Sequence, residues 1–239
     1  MSSRNSSFDS NSLAQTWQGV ATIIDHTNLR PEATPDQIAR LCDEAREFGF
    51  VSVMINPCYV ELACSQLRGS AVTVGAVVGF PLGATLTSVK VFEARESMSM
   101  GAREIDMVMN IGALKAGDRT VVLADIRAVA EVVHTQGALL KVILETGLLT
   151  DEEKLLACEL SEKAGADFVK TSTGFLGGVA NVEDVALMRR AVKIGVKASG
   201  GIRTASDAKA MIEAGANRLG TSRGVNIIRE LRNEAGGAK

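Results

Sequence analysis

The chain reads as an α/β protein built from eight strand–helix units closed into a (β/α)8 barrel. Three observations carry that expectation: a glycine that recurs between a helical stretch and a β-rich run, amphipathic segments linking the runs, and a length that holds eight units. Gly49, Gly101, Gly137, Gly165, Gly195 and Gly215 stand directly ahead of FVSVMI, AREIDMVMN, ALLKVIL, ADFVKTS, VKAS and ANRLG. A glycine there relieves the left-handed position that ends a helix, and the apolar, β-branched run after it forms a strand. Two further strands, near Ala21–Asp25 and Ala71–Val78, bring the expected number to eight.

The intervening segments carry helical periodicity. In Pro35–Phe48, Ile38, Leu41, Cys42 and Ala45 share a stripe that Asp36, Arg40, Asp43 and Glu44 avoid. Thr34 supplies an N-cap with Pro35 at the first helical position. Asp118–Gln136, Thr150–Ala164, Asn181–Lys193 and Thr204–Ala214 read the same way, and Thr150 with Glu153 forms a capping box. Alternating β and α segments imply parallel strands joined by right-handed crossovers. Eight units in the roughly 220 residues after a polar N-terminus suit the TIM barrel, which takes about 250. The competitor, an open doubly wound sheet, calls for a GxGxxG turn after the first strand, and Asp25-His26-Thr27-Asn28 has none.

Residues 1–18 (MSSRNSSFDSNS onward) read as a disordered polar tail, and 19–239 as a single domain, because no Pro/Gly/Ser-rich linker interrupts the repeat. The tail lacks the apolar stretch of a secretory signal, and Asp9 breaks the acid-poor pattern of a transit peptide. No apolar run reaches the ~18–20 residues of a membrane span. Four cysteines without CxxC spacing fit free thiols in a reducing cytoplasm. With 26 basic and 28 acidic residues and 4% aromatics, the chain has neither the charge nor the stacking surface of a nucleic-acid binder. Two histidines, His26 and His134, argue against a metal site built on several His ligands.

The informative anomaly is charge inside apolar strands: Glu104 and Asp106 in EIDMVMN, Lys141 in LLKVILE, Lys170 in DFVKTS, Lys197 in VKASGG. Strand side chains in a barrel alternate between a filled interior and a helix-covered exterior, so a charge on either face is costly unless paired or functional. Lys170 and Lys197 fall at the C-terminal strand ends, where such barrels place their chemistry. That pattern suits amine catalysis. A lysine attacks a carbonyl only as the free amine, and its reference pKa is about 10.4. Desolvation lowers it, and a second ammonium at about 4 Å, repelling by about 4 kcal/mol at an effective dielectric of 20, lowers it further. A carboxylate such as Asp106 can then move protons. The pattern alone leaves open which lysine is the nucleophile.

Ser199-Gly200-Gly201 after strand seven and Gly220-Thr221-Ser222-Arg223-Gly224 after strand eight stand where this barrel binds phosphate, with a helix start near Ser222. His26, after strand one, is a candidate either for catalysis or for a structural or hydrogen-bonding role; His134 is expected on a helix surface, and Cys58 and Cys64 packed in a helix. Met98, Met100, Met107 and Met109 read as core filler.

Taken together, IDHTNL (Ile23–Leu29), VVGFPLGATLTSVKVFEA (Val77–Ala94), EIDMVMNIG (Glu104–Gly112), LLKVILETGLL (Leu139–Leu149), FVKTSTGF (Phe168–Phe175) and VKASGGIR (Val196–Arg203) closely resemble the deoxyribose-phosphate aldolases, from about Ile23 to Arg223. The resemblance implies a lyase that reversibly cleaves 2-deoxy-D-ribose 5-phosphate to D-glyceraldehyde 3-phosphate and acetaldehyde, with no metal or organic cofactor, as a homodimer or larger homo-oligomer. It implies Lys170 as the Schiff-base lysine, Lys197 as the second lysine that depresses its pKa, Asp106 as proton donor and acceptor, and Lys141 as a support for Asp106. Phosphate contacts carry over to Gly174, Gly200, Gly201, Gly220 and Ser222. Phe175 stands where some members have Lys, Arg223 where some have Ser, and Arg30 where members often have Lys; these departures touch the phosphate end rather than the chemistry. Two alternatives compete: another phosphate-sugar barrel, either a related Schiff-base aldolase or an isomerase, the latter needing an acid and a base but no free amine, and a non-catalytic sugar-phosphate binding or regulatory protein on the same fold.

Overall fold

A computed structural model describes residues 16–236 of the chain. Eight parallel strands close on themselves in chain order: β1 (Ile24–Asn28), β2 (Ser52–Ile55), β3 (Thr73–Val78), β4 (Glu104–Val108), β5 (Leu139–Ile143), β6 (Phe168–Lys170), β7 (Gly195–Ser199) and β8 (Arg218–Thr221), the last pairing back onto β1. The expected barrel is present. Around it, among the described residues, run α1 (Trp17–Ala21), α2 (Pro35–Phe48), α3 (Val60–Gln66), α4 (Thr87–Ser99), α5 (Ile111–Lys115), α6 (Arg119–Thr135), α7 (Asp151–Lys163), α8 (Val182–Ala191), α9 (Ala205–Glu213) and α10 (Gly224–Gly236). No described helix is long and apolar enough to cross a membrane.

The helix signals act as the sequence indicated. Thr34 and Thr150 each accept from the backbone three residues on, while Gln37 and Glu153 close the reciprocal bond, so both helix starts are capping boxes. Gly49 ends α2 in the left-handed conformation at φ 72°. Gly101, Gly137, Gly165 and Gly215 likewise have positive φ.

Gly195 does not. The helix before it ends at Ala191, and Gly195 is the first residue of β7. Its role is room: a Cβ there would stand 2.2 Å from the Phe168 ring, which fills the interior beside it. The N-terminal boundary also differs from expectation. Residues 1–15 of the expected tail lie outside the described residues, but Trp17 and Gln18 open α1, capped by the Thr16 side chain, with Arg232 of α10 4.0 Å from the Trp17 ring centre.

Alternation along the strands divides two environments. Ile105 and Met107, Leu140 and Val142, Val169 and Val196 face the helices and form the main apolar core with them. Their neighbours point into the barrel, and there Glu104, Asp106, Lys141, Lys170 and Lys197 replace the branched apolar residues that usually fill such an interior. Met107 and Met109 are fully buried and Met98 nearly so, as core filler should be. Cys58, expected in a helix with Cys64, is instead exposed in the short 3-10 turn Pro57–Tyr59, while Cys64 does lie in a helix, half-buried.

Candidate active site

Strand register brings the interior charges together. Asp106 pairs in register with Lys141 across β4 and β5, Lys170 with Lys197 across β6 and β7, and Lys197 with Arg218 across β7 and β8. Asp106 is the hub. Its Oδ2 accepts from Lys170 Nζ and from Lys197 Nζ, each at 2.8 Å, and its Oδ1 accepts from Lys141 Nζ at 3.0 Å. All four groups are 2% exposed or less.

A second tier supports the first. Lys141 Nζ also donates to Glu104 Oε2 at 2.5 Å and lies 3.9 Å from Asp25 Oδ2. Lys197 Nζ lies 2.5 Å from Asp25 Oδ2. The far oxygen of Asp25 takes Ser52 Oγ at 2.7 Å and Arg218 Nε at 3.1 Å, and Arg218 reaches Glu104 as well. Gly220 leaves the space that Lys197 occupies: a Cβ on it would stand 3.0 Å from Lys197 Cε.

The three lysines are therefore unequally compensated. Lys141 has three carboxylates within 4 Å and Lys197 has two, whereas Lys170 has one, whose Oδ2 it shares with Lys197. The protonation balance follows. Burial pulls the Lys170 amine down most strongly; Asp106 pulls it back up; Lys197 and then Lys141 lower it again, leaving it at about 8. Burial also disfavours the charged form of Lys141, but Asp106, Glu104 and Asp25 outweigh it and hold that ammonium above its ordinary value. Burial opposes ionisation of Asp106 too, yet Lys141, Lys170 and Lys197 hold its carboxyl well below the usual carboxylate range. Asp25 is kept low in the same way by Lys197, Arg218 and Lys141.

Desolvation is the larger cause of the lowered Lys170 pKa and the neighbouring ammonium a smaller one, and part of what Lys197 contributes is competition for the one carboxylate Lys170 has. Asp25 and Arg218 were not singled out from the sequence. An aspartate in the first apolar strand and an arginine in the last were visible signals, but their partners come from opposite ends of the chain.

Above the cluster, at the C-terminal ends of the strands, a cavity of about 830 Å³ opens to solvent. Lys170 is the lysine of the cluster that reaches its wall; Gly174, Gly200, Gly201, Gly220 and Ser222 line it too. Arg223 and Phe175 stand at the same cavity, Phe175 edge-on to Phe80 at 5.2 Å between ring centres. His26 lines the β1 side, where its Nε2 pairs with Glu44 at 2.7 Å; burial lowers its pKa despite that carboxylate, which fits the hydrogen-bonding role. His134 is on the surface of α6, paired with Asp167 at 2.9 Å.

A buried, poorly compensated amine, a shared carboxylate and a polar cavity are together chemically suited to forming an imine with a carbonyl compound. Residues 20–230 match the model of the DeoC/LacD family aldolases. The chain belongs to that family. A deoxyribose-phosphate aldolase from Thermococcus gammatolerans is 59% identical over 218 residues, covering 90% of this chain and 97% of its own. One from Listeria monocytogenes is 56% identical, covering 87% and 94%. The solved structure of a tetrameric deoxyribose phosphate aldolase from Aeropyrum pernix superposes with a TM-score of 0.87 at 32% identity, over 96% of this chain and 99% of that one. The chain is thus a DeoC/LacD aldolase, a carbon–carbon lyase on a (β/α)8 barrel.

Proposed function

We propose that this aldolase reversibly cleaves 2-deoxy-D-ribose 5-phosphate to D-glyceraldehyde 3-phosphate and acetaldehyde, with Lys170 as the imine-forming residue. The observation that carries the reading is that Lys170 alone of the three clustered lysines reaches the cavity wall, and it has the fewest carboxylates.

The free amine of Lys170 adds to the C1 carbonyl of the open-chain sugar, and the carbinolamine takes up one proton from solvent in the cavity and loses water to give a protonated imine. With Nζ so engaged, Asp106 Oδ2 has one lysine donor fewer and becomes a better proton acceptor. Asp106, with Lys197 donating to it, takes the C3 hydroxyl proton as the C2–C3 bond breaks, and the bonding electrons move into the imine to form an enamine. Glyceraldehyde 3-phosphate leaves. Protonation at C2 and hydrolysis release acetaldehyde and restore the amine. Lys141 supports Asp106 from its other oxygen.

Charge count favours this cycle. The interior holds four cations (Lys141, Lys170, Lys197, Arg218) and three carboxylates (Asp25, Glu104, Asp106), a formal excess of one. Releasing one proton from Lys170 balances it; the charged imine restores the excess, and bond cleavage moves that excess from the imine nitrogen to Asp106, which takes up the C3 hydroxyl proton.

Gly174, Gly200, Gly201, Gly220 and Ser222 are assigned to the phosphate, with the start of α10 close behind at Gly224. Phosphate bound there positions the sugar over Lys170. A homo-oligomer is the expected assembly, supported by the tetrameric Aeropyrum pernix relative, and free thiols such as Cys42, whose pKa burial raises to about 12, suit a cytoplasmic setting.

The test is borohydride trapping with acetaldehyde. Wild type should acquire one covalent adduct that maps to Lys170, together with acetaldehyde release from deoxyribose 5-phosphate. An undiminished adduct in Lys170→Met would refute the assignment.

A further inference from the structure

Glu145 is the one described non-glycine residue with positive φ (φ 58°, ψ 61°). It stands two residues past the end of β5, is fully buried, and forms no salt bridge among the described residues. A charged residue held in a glycine-type conformation marks a place where the surrounding structure requires that side chain.

What it holds is specific. Glu145 Oε2 accepts from the Thr173 backbone N–H at 3.1 Å and from Thr173 Oγ1 at 2.5 Å. Thr173 Oγ1 in turn accepts from the Phe175 N–H at 3.1 Å, so a relay runs from the carboxylate across Gly174. Oε1 has no hydrogen-bond partner and faces Gly178, where a Cβ would stand 2.7 Å away. Beyond Gly178 the loop reaches the next strand: Gly178 O would stand 3.1 Å from a Cβ on Gly200, and the Ala180 N–H donates to Gly200 O at 3.0 Å.

We propose that Glu145 is a positioning residue for the phosphate end of the substrate, its carboxylate buttressing the loop from Thr173 to Ala180 so that Gly174 and Gly200 face one anion. The inference rests on the aldolase reading above. The Glu145 side chain does not line the cavity and makes no hydrogen bond to Lys170 Nζ, so its influence falls on phosphate recognition and not on the amine.

Glu145→Gln keeps the shape but replaces one carboxylate oxygen with a donor. Gly178→Ala presses on Oε1 from the loop side and serves as an independent variant. Each should raise KM for deoxyribose 5-phosphate about tenfold. Each should leave kcat, and kcat/KM for unphosphorylated deoxyribose, within about threefold of wild type. Inorganic phosphate should inhibit both variants about tenfold more weakly. An equal loss on both sugars, or an unchanged KM for the phosphorylated one, overturns the proposal while wild-type trapping at Lys170 still upholds the aldolase reading. Absence of that trapping in wild type defeats both.

Discussion

Two regions of this molecule bury lysines completely, and they treat them in opposite ways. Between α4, α6 and the end of β4, Lys90 donates to Asp125 Oδ2 at 2.6 Å and to the Val108 carbonyl at 2.9 Å. The other Asp125 oxygen is taken by Thr87 Oγ1 at 2.7 Å. That ammonium has a carboxylate to itself and a carbonyl besides. Inside the barrel, Lys170 is just as dry but shares one carboxylate with two other lysines. Burial is thus common to both regions, and what sets Lys170 apart is its shortage of counter-charges.

Substitutions should separate the two regions sharply. Lys170→Met removes the only proposed imine-former and should lower kcat by about four orders of magnitude or more while the protein stays folded, measured by acetaldehyde release and circular dichroism. Lys90→Met should do the reverse: it strands Asp125 and costs about 3–5 kcal/mol of stability in urea titration, yet the adduct at Lys170 persists in whatever fraction folds. Loss of the adduct in folded Lys90→Met protein would erase the contrast.

A finer test is pH. In the proposed cycle Lys170 reacts as the free amine and its pKa stands at about 8, so kcat/KM should climb with pH and level off above that value. Lys197→Met removes a neighbouring charge that holds this pKa down and a competitor for Asp106. Both effects favour the protonated amine, so the acid limb should move upward by about one unit or more. A downward shift would mean that Lys197 acts chiefly in some other way. Smallest of all is the surface pair: His134→Gln leaves Asp167 still accepting from the Leu140 N–H at 2.8 Å and should change stability by less than about 1 kcal/mol.

The barrel was legible because its grammar is local. A capping threonine, a stripe of four apolar residues and a terminal glycine can each be seen within a dozen positions, and the eight-fold repetition makes the architecture. Gly195 shows where local grammar fails: its role is set by Phe168 on the neighbouring strand, 27 residues earlier, and the sequence offers no sign of that contact. Charges in apolar strands were equally visible, and Asp106, Lys141, Lys170 and Lys197 do converge. Their ranking was not visible. It depends on which oxygen meets which nitrogen across the interior, and on Asp25 and Arg218, brought together from opposite ends of the chain by closure of β8 onto β1. Glu145 was hidden for a similar reason, since its left-handed backbone is one that sequence assigns to glycine or asparagine.

The short helix ahead of β1 has a practical corollary. Trp17–Ala21 lies three residues before the start of the first strand, stacked on the final helix through Arg232, and so occupies the pole of the barrel away from the substrate mouth. A purification handle or an immobilising tether joined at Thr16 therefore departs from the rear of the catalyst, and a support-bound form should keep its entrance open to sugars.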